Sequence, residues 1–288
     1  MSRWFWNWEK SKAHMKKETQ ILRGIWPYLI FFILVQYVHA IFNKLVYRNY
    51  NYYKVYEQPQ LVDLGFMALK DLNVSTIEWI TETITFGAIG LSFLFGISTL
   101  FIERDPPVYA LHLLYRVLMT SSVCLTIRIG AYSLTILPSP SDHCFPGQRN
   151  WNPPNSWTDY VFGADPINGC ADLIFSSHTM YTVLCCAAYY RYGGIRWLKG
   201  LFVLVVIMLG ILIVALQKHY SVDVWLALCI VPIVWNWLEF RVEDYVPPEW
   251  KNPRESEIEV PRGAEHAQAE DHEQVHLVGD REASKEAV

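Results

Sequence analysis

Two histidines and an aspartate are the residues of this 288-residue chain best placed to do chemistry. His219 and Asp223, in His-Tyr-Ser-Val-Asp, are four apart, so on a helix they share a face and can hydrogen-bond. A carboxylate on one imidazole nitrogen fixes the tautomer and leaves the lone pair of the other nitrogen free to attack. It also stabilises the imidazolium that follows. Alone, the pair has a bland alternative, because an aspartate near a helix N-terminus is a favourable first-turn charge. His178, in Asp172-Leu-Ile-Phe-Ser176-Ser177-His178-Thr179, supplies a second imidazole. Two histidines and an aspartate suit displacement at phosphorus, one ring as nucleophile and the other as general acid and base. They suit zinc as well, but no further Cys/His cluster with ligand spacing completes a site, so neither a metal nor another cofactor is expected.

Displacement at phosphorus also needs positive charge near the non-bridging oxygens. Arg128 is the candidate, with Lys218 behind it. The alternative for Arg128 is a buried partnership with Glu78 or Glu82. Tyr132, one turn after Arg128, either hydrogen-bonds a phosphate or packs. Asp172 and Ser177 position a headgroup, or else cap a helix and bond the local backbone.

The elements that must hold these residues are membrane spans. The chain is 52% hydrophobic, 15% aromatic and 18% charged, whereas a soluble domain is nearer a quarter charged. Twelve Trp and seventeen Tyr suit the membrane boundary, where an amphipathic ring is well placed. Such a composition excludes a disordered chain, a collagen, a coiled coil and a small disulfide-stapled domain. A net charge of −4 with no basic domain gives nucleic-acid binding no electrostatic support.

Six runs approach the roughly 20 apolar residues that cross the hydrocarbon layer: Ile25–Leu45, Glu78–Ile102, Val108–Leu137, Leu173–Tyr190, Trp197–Leu216 and Val222–Phe240. The expected fold is all-α, a polytopic membrane protein with six transmembrane helices. Lys and Arg in the short flanks number ten on the side of the N-terminus and five on the other, which predicts both termini cytosolic. The 138–170 loop and the 217–223 hinge then meet on the lumenal face, with the active site. No cleavable signal peptide is evident in residues 1–24, whose Trp4, Phe5, Trp6 and Trp8 suit the interface. Residues 25–240 form the expected transmembrane catalytic domain. Residues 241–288 carry 13 Asp/Glu and 6 Lys/Arg and are expected to form a disordered acidic cytosolic tail.

Cys144 and Cys170 bracket the lumenal loop, where an oxidising compartment permits a disulfide; two free thiols are the alternative. Cys124, Cys185, Cys186 and Cys229 lie within spans as packing residues. Asn73-Val-Ser is an N-glycosylation triplet close to the second span.

Asp172-Leu-Ile-Phe-Ser-Ser-His178-Thr with Lys218-His219-Tyr-Ser-Val-Asp223-Val resembles the paired motifs of the sphingolipid synthases, a family within the lipid phosphate phosphatase superfamily. The resemblance spans residues 20–240. Arg128 through Leu137-Pro-Ser-Pro140 is similar to that family's Arg-containing third span and its exit. Gln36-Tyr37-Val-His39, Asp63-Leu-Gly-Phe66 and Ser176-Ser177 resemble the plant-type inositol phosphorylceramide synthases in particular. The chain departs from the pattern at Ala171, where members usually have glycine, and at Leu216-Gln217-Lys218, where plant-type members commonly read Ser-Arg-Lys. Thr179 is more like the sphingomyelin synthase branch.

The resemblance implies transfer of a phospholipid headgroup to the primary hydroxyl of ceramide, with release of diacylglycerol. His219 would attack phosphorus, Asp223 would orient it, and His178 would act as acid and base, with Arg128, Tyr132, Asp172, Ser177 and Lys218 around the substrate. Phosphatidylinositol is the expected donor and phosphatidylcholine the alternative. Golgi membranes come first as the location and the plasma membrane second. A lipid phosphatase is disfavoured because no KxxxxxxRP pattern precedes His178. A transporter or channel is disfavoured because the polar residues gather at one leaflet rather than the midplane. A catalytically silent ceramide-binding regulator is kept open by Ala171 and Gln217.

Overall fold

The computed structural model describes residues 8–70, 79–101, 108–141, 144–148, 151–161 and 170–243. Asn73, Glu78, Trp4 to Trp6 and the acidic tail beyond Glu243 lie outside the described residues. The helices are α1 (Trp8–Tyr52), α2 (Leu64–Leu69), α3 (Trp79–Phe101), α4 (Ala110–Leu134), α5 (Trp157–Val161), α6 (Ser177–Tyr192), α7 (Arg196–Ala215) and α8 (Ser221–Glu243). A 3-10 turn, Val55–Glu57, follows α1, and no strand occurs among the described residues.

Five helices (α1, α3, α4, α7 and α8) are long and apolar enough to cross a bilayer. The run expected as a fourth span is shorter than the sequence suggests. Helix α6 has 16 residues, about 24 Å at 1.5 Å per residue, below the length that spans the hydrocarbon layer. It begins at Ser177 because Ser176 caps it, its side chain accepting from the Thr179 N–H, and residues 172–176 are held outside the helix. Helix α1 departs the other way: it has 45 residues, running well past both ends of Ile25–Leu45 and through Pro27.

Helix α3 turns a mostly small or polar stripe inward and large apolar side chains outward, the reverse of a helix in a soluble bundle. On α3 the buried residues are Thr81, Thr85, Ala88, Phe95 and Thr99, while Phe86, Leu91, Phe93 and Leu94 are exposed. Lipid tails are as apolar as these side chains, so association rests on close packing and interhelical hydrogen bonds.

The bundle is tied at both ends. At one, Glu18 of α1 accepts from the N–H groups of Ala110 and Leu111 at 2.7 and 3.0 Å, satisfying the first turn of α4. Nearby, buried Arg116 of α4 pairs with Glu239 of α8 at 2.7 Å and donates to the Tyr192 hydroxyl of α6 at 2.8 Å. At the other end a disulfide joins Cys144 to Cys170, with Cα atoms 5.4 Å apart. It packs in one cluster with Tyr47, Tyr50, Tyr132 and Trp151. The methyl of Ala171, the departure noted above, is buried in this cluster.

A second tie at that end fixes the hinge between α7 and α8. Asp63 caps α2 by accepting from the N–H groups of Gly65 and Phe66 at 2.7 and 3.1 Å. It also accepts from Ser221 N and Oγ, both at 2.7 Å, at the start of α8. Gly65 permits this approach, since a Cβ there would overlap the Ser221 side chain. Burial opposes the charge on Asp63, but these hydrogen bonds outweigh it and hold the carboxyl below its usual range.

Asp63→Ala is therefore expected to lower stability by about 1–2 kcal/mol, the loss typical of a removed cap, read as the thermal unfolding midpoint in detergent. Because the folded pKa is depressed, the contribution is complete above the unfolded value of about 4 and is lost as pH falls through the folded one. The gap between wild type and variant should narrow in acid.

Candidate active site

The residues singled out by the sequence come from three helix ends and one hinge. Helix α7 stops at Ala215, and Gln217, with φ of 54° in the left-handed region, reverses the chain within a few residues. The reversal leaves Lys218 and His219 in the hinge and returns the backbone at Ser221 into α8. His178 is the second residue of α6, and its ring lies 6.2 Å from that of His219, centroid to centroid, in an edge-on arrangement. Two side chains separated by 41 positions are thereby neighbours.

His219 is not held quite as an (i, i+4) pair on one helix would be. It precedes α8, so its ring leaves the helical register. Its Nδ1 is 3.1 Å from the carbonyl oxygen of Leu173 and 3.7 Å from Asp223 Oδ2, the latter beyond hydrogen-bonding distance. A carbonyl can only accept, so Nδ1 carries the proton and the lone pair sits on Nε2. Asp223 is fully buried, and its Oδ2 accepts from the Tyr220 N–H at 3.1 Å. Its backbone carbonyl accepts from the Ser176 N–H at 3.2 Å, joining the start of α8 to the cap of α6. The carboxylate thus lies beside the imidazole as a nearby negative charge while the carbonyl sets the tautomer.

Arg128 provides the second framework. Its guanidinium is buried and donates to Phe175 O at 2.7 Å, Asp172 O at 2.6 Å and Asp172 Oδ2 at 2.5 Å. Its carboxylate partner is therefore Asp172 rather than Glu82. Asp172 also accepts from Asn43 Nδ2 of α1 at 3.1 Å. Desolvation opposes the Asp172 charge, but the adjacent Arg128 guanidinium prevails and holds the carboxyl below its ordinary range. Tyr132, fully buried one turn on, donates to the His39 carbonyl at 3.4 Å and packs edge-on against the His39 ring.

Glu82, in the first turn of α3, supplies the carboxylate on the other side of the site. It lies 2.8 Å from Lys218 Nζ and 3.5 Å from His178 Nε2. Lys218 also reaches Thr81 Oγ1 at 2.9 Å. His178 Nδ1 is buried without a hydrogen-bond partner. Ser177 opens α6, half-buried, and the capping role belongs to its neighbour Ser176. No group of three metal-ligating side chains occurs among the described residues.

His178, His219, Asp223, Arg128, Asp172 and Lys218 thus converge. Glu82, Asn43 and Asp63 were not assigned these partners from the sequence, because their roles depend on contacts between helices far apart in the chain. Two imidazoles side by side, one with a free Nε2, flanked by a buried guanidinium and a partly buried ammonium, can carry a nucleophile and a proton-transfer group to one phosphorus.

The sequence profile described as PAP2 superfamily C-terminal matches residues 169–240, the stretch that holds both histidines. Phosphatidylinositol:ceramide inositolphosphotransferase 2 of Arabidopsis thaliana is 33% identical over 226 residues, which cover 76% of this chain and 71% of that protein. The chain belongs to this family. The phosphatidylinositol:ceramide inositolphosphotransferase of Oryza sativa subsp. japonica is 34% identical over 225 residues, covering 76% and 67% of the two chains. Inositolphosphotransferase 3 of Arabidopsis thaliana is 28% identical over 242 residues, covering 82% and 81%. The similarity to the inositolphosphotransferases extends well beyond the 169–240 stretch.

Arg128→Lys tests the framework. An ammonium on a flexible stem cannot reproduce a planar fork that serves two carbonyls and a carboxylate. Loss of one or two charged hydrogen bonds, about 1.5–3 kcal/mol each, should lower transferase activity and the thermal midpoint together, whereas Tyr132→Phe should change both far less.

Proposed function

We propose that the chain is an inositol phosphorylceramide synthase, moving inositol phosphate from phosphatidylinositol to the primary hydroxyl of ceramide and releasing diacylglycerol. The observation that carries the chemistry is the pair of neighbouring imidazoles with the His219 Nε2 lone pair left free by the Leu173 carbonyl. The donor assignment rests on the family, whose compared members are named for phosphatidylinositol. It is supported by the carboxylates around the histidines. Glu82 is paired with Lys218 and Asp172 with Arg128, so neither is free to hold the quaternary ammonium of a choline headgroup.

In this mechanism His219 Nε2 attacks phosphorus and forms a P–N bond while the P–O bond to diacylglycerol breaks. His178 gives the departing oxygen its proton. Diacylglycerol leaves and ceramide enters. His178 then takes the proton from the primary hydroxyl as that oxygen attacks phosphorus, and the P–N bond breaks to restore His219. Asp223 stabilises the charge that develops on the His219 ring, and Nδ1–H stays on the Leu173 carbonyl throughout. Arg128 and Lys218 supply the positive field that favours negative charge building on the phosphoryl oxygens, acting from behind their carboxylate partners. Asp172, Ser177 and Tyr132 shape the headgroup side. No step calls for a metal or another cofactor.

The same reading puts the reacting end on the lumenal face with both termini cytosolic. It gives α6 a place inside the bundle, entering from that face. Golgi membranes are the proposed compartment, and this placement requires ceramide to reach the lumenal leaflet.

The test is purified protein given fluorescent ceramide with phosphatidylinositol, phosphatidylcholine or phosphatidylethanolamine in turn, the products separated by thin-layer chromatography. Product is expected from phosphatidylinositol alone, in the presence of EDTA, and from neither His219→Ala nor His178→Ala. Product from phosphatidylcholine instead would reassign the donor, and donor hydrolysis without ceramide product would make the protein a phosphatase. With inositol-labelled donor and no ceramide, wild type should hold an acid-labile, alkali-stable label that His219→Ala lacks.

A further inference from the structure

The reaction above leaves unexplained a polar stripe on the first helix. Gln36, His39 and Asn43 are three and four residues apart and share one face of α1. Polar groups on a membrane helix are costly against lipid, and this face is turned to the other helices. Gln36 Nε2 donates to the Tyr181 hydroxyl of α6 at 3.2 Å, and Asn43 donates to Asp172 at 3.1 Å. Between them the His39 ring packs edge-on to Tyr132, and its Nε2 is buried without a hydrogen-bond partner. The Arg128–Asp172 pair accounts for Asn43 but not for Gln36, His39 or Tyr181. These three are half-buried.

Their depth is informative. Tyr181 follows His178 by three residues, so it lies on the same side of α6 and about 4.5 Å further into the bundle. Ceramide has a matching layout. Its reacting hydroxyl is on C1, and the amide nitrogen on C2 and secondary hydroxyl on C3 lie on the tail side. With the C1 hydroxyl at the two imidazoles and the tails in the bilayer, the amide and secondary hydroxyl fall at the level of Tyr181 and Gln36. Diacylglycerol also offers a primary hydroxyl, but at that level it has only ester oxygens, which accept and never donate. A site that pairs with an N–H and an O–H rejects an analogue lacking them, because the site's own polar groups are left unpaired.

We propose that Gln36, Tyr181 and His39 form the subsite that reads the amide and secondary hydroxyl of the ceramide acceptor and so separates it from diacylglycerol. The proposal rests on the transferase reading above. The carboxamide of Gln36 and the hydroxyl of Tyr181 each donate and accept, and the unpartnered His39 nitrogen supplies a third group. The opposing view makes the stripe interhelical glue alone, which hydrogen bonds between membrane helices also provide.

The experiment uses the full chain in detergent with phosphatidylinositol and three acceptors: ceramide, its 3-deoxy analogue, and labelled diacylglycerol in headgroup exchange. Tyr181→Phe and Gln36→Leu should each lower kcat/KM for ceramide about tenfold, the effect of one lost hydrogen bond, mostly through KM. The preference for ceramide over both other acceptors should shrink by a similar factor. Tyr181→Phe removes a single oxygen and keeps the ring, so a folding defect in the glutamine variant does not obscure the result. If either variant slows all acceptors alike and keeps the preference, the stripe is glue and the subsite is wrong. Unchanged kcat/KM for ceramide in Tyr181→Phe and Gln36→Leu refutes it equally. A wild-type protein that makes no ceramide product overturns the transferase reading, and this proposal with it, by a different signature.

Discussion

One buried guanidinium sets the geometry of the reacting end. Taking Arg128 out of water costs several kcal/mol, and the cost is offset only because a carboxylate and two backbone carbonyls surround it. Those carbonyls belong to Asp172 and Phe175, so the segment they come from cannot spend them on a helix. That is why α6 starts at Ser177 rather than at Leu173, and why His178 stands in its first turn. The same segment turns the Leu173 carbonyl toward His219 and fixes which imidazole nitrogen is free. The positions of both histidines thus follow from where Arg128 finds its partners.

Charge is distributed around the site in committed pairs. Arg128 belongs to Asp172 and Lys218 to Glu82, while Asp63 is held by backbone and hydroxyl donors. Paired charges inside a membrane protein keep their geometry because separating either pair leaves an uncompensated ion in a low dielectric. The field at the histidines is therefore preorganised, the condition under which electrostatic stabilisation of a transition state is effective. At the far end of the bundle Arg116 and Glu239 hold α4, α6 and α8 together in the same manner, without sharing residues with the site.

The division of labour along the chain follows from this layout. Both histidines and Asp223 lie in the 169–240 stretch shared with the PAP2 superfamily, whereas the groups that surround them come from earlier helices: Asn43 from α1, Glu82 from α3 and Arg128 from α4. Under the proposed function, one histidine pair serves different lipids when the helices packed against it differ, since function resides in the site and not in the fold.

Much of the architecture was readable from composition and periodicity. Long apolar runs announce helices because a backbone in hydrocarbon must satisfy its own hydrogen bonds, and α3, α4, α7 and α8 fall close to the runs that predict them. The short α6 was not readable, because hydropathy counts Leu173, Ile174 and Phe175 as span while the structure binds the Leu173 carbonyl to His219 and the Phe175 carbonyl to Arg128. The residue types for phosphorus chemistry stand in the sequence, two imidazoles and a carboxylate with cations nearby, and the motifs around them identify the family. The choice of partners does not. Spacing placed Asp223 on the His219 ring, but at Nδ1 the closer neighbour is a carbonyl from a segment 46 residues away. Lys218 finds its carboxylate on α3 and Arg128 finds its own before α6. Local sequence determines which residues are apolar, ionisable or helix-capping, because those are properties of the side chain and its near neighbours. Which charge meets which, and which nitrogen keeps its proton, depends on helices brought together from distant parts of the chain, and only the tertiary structure decides that.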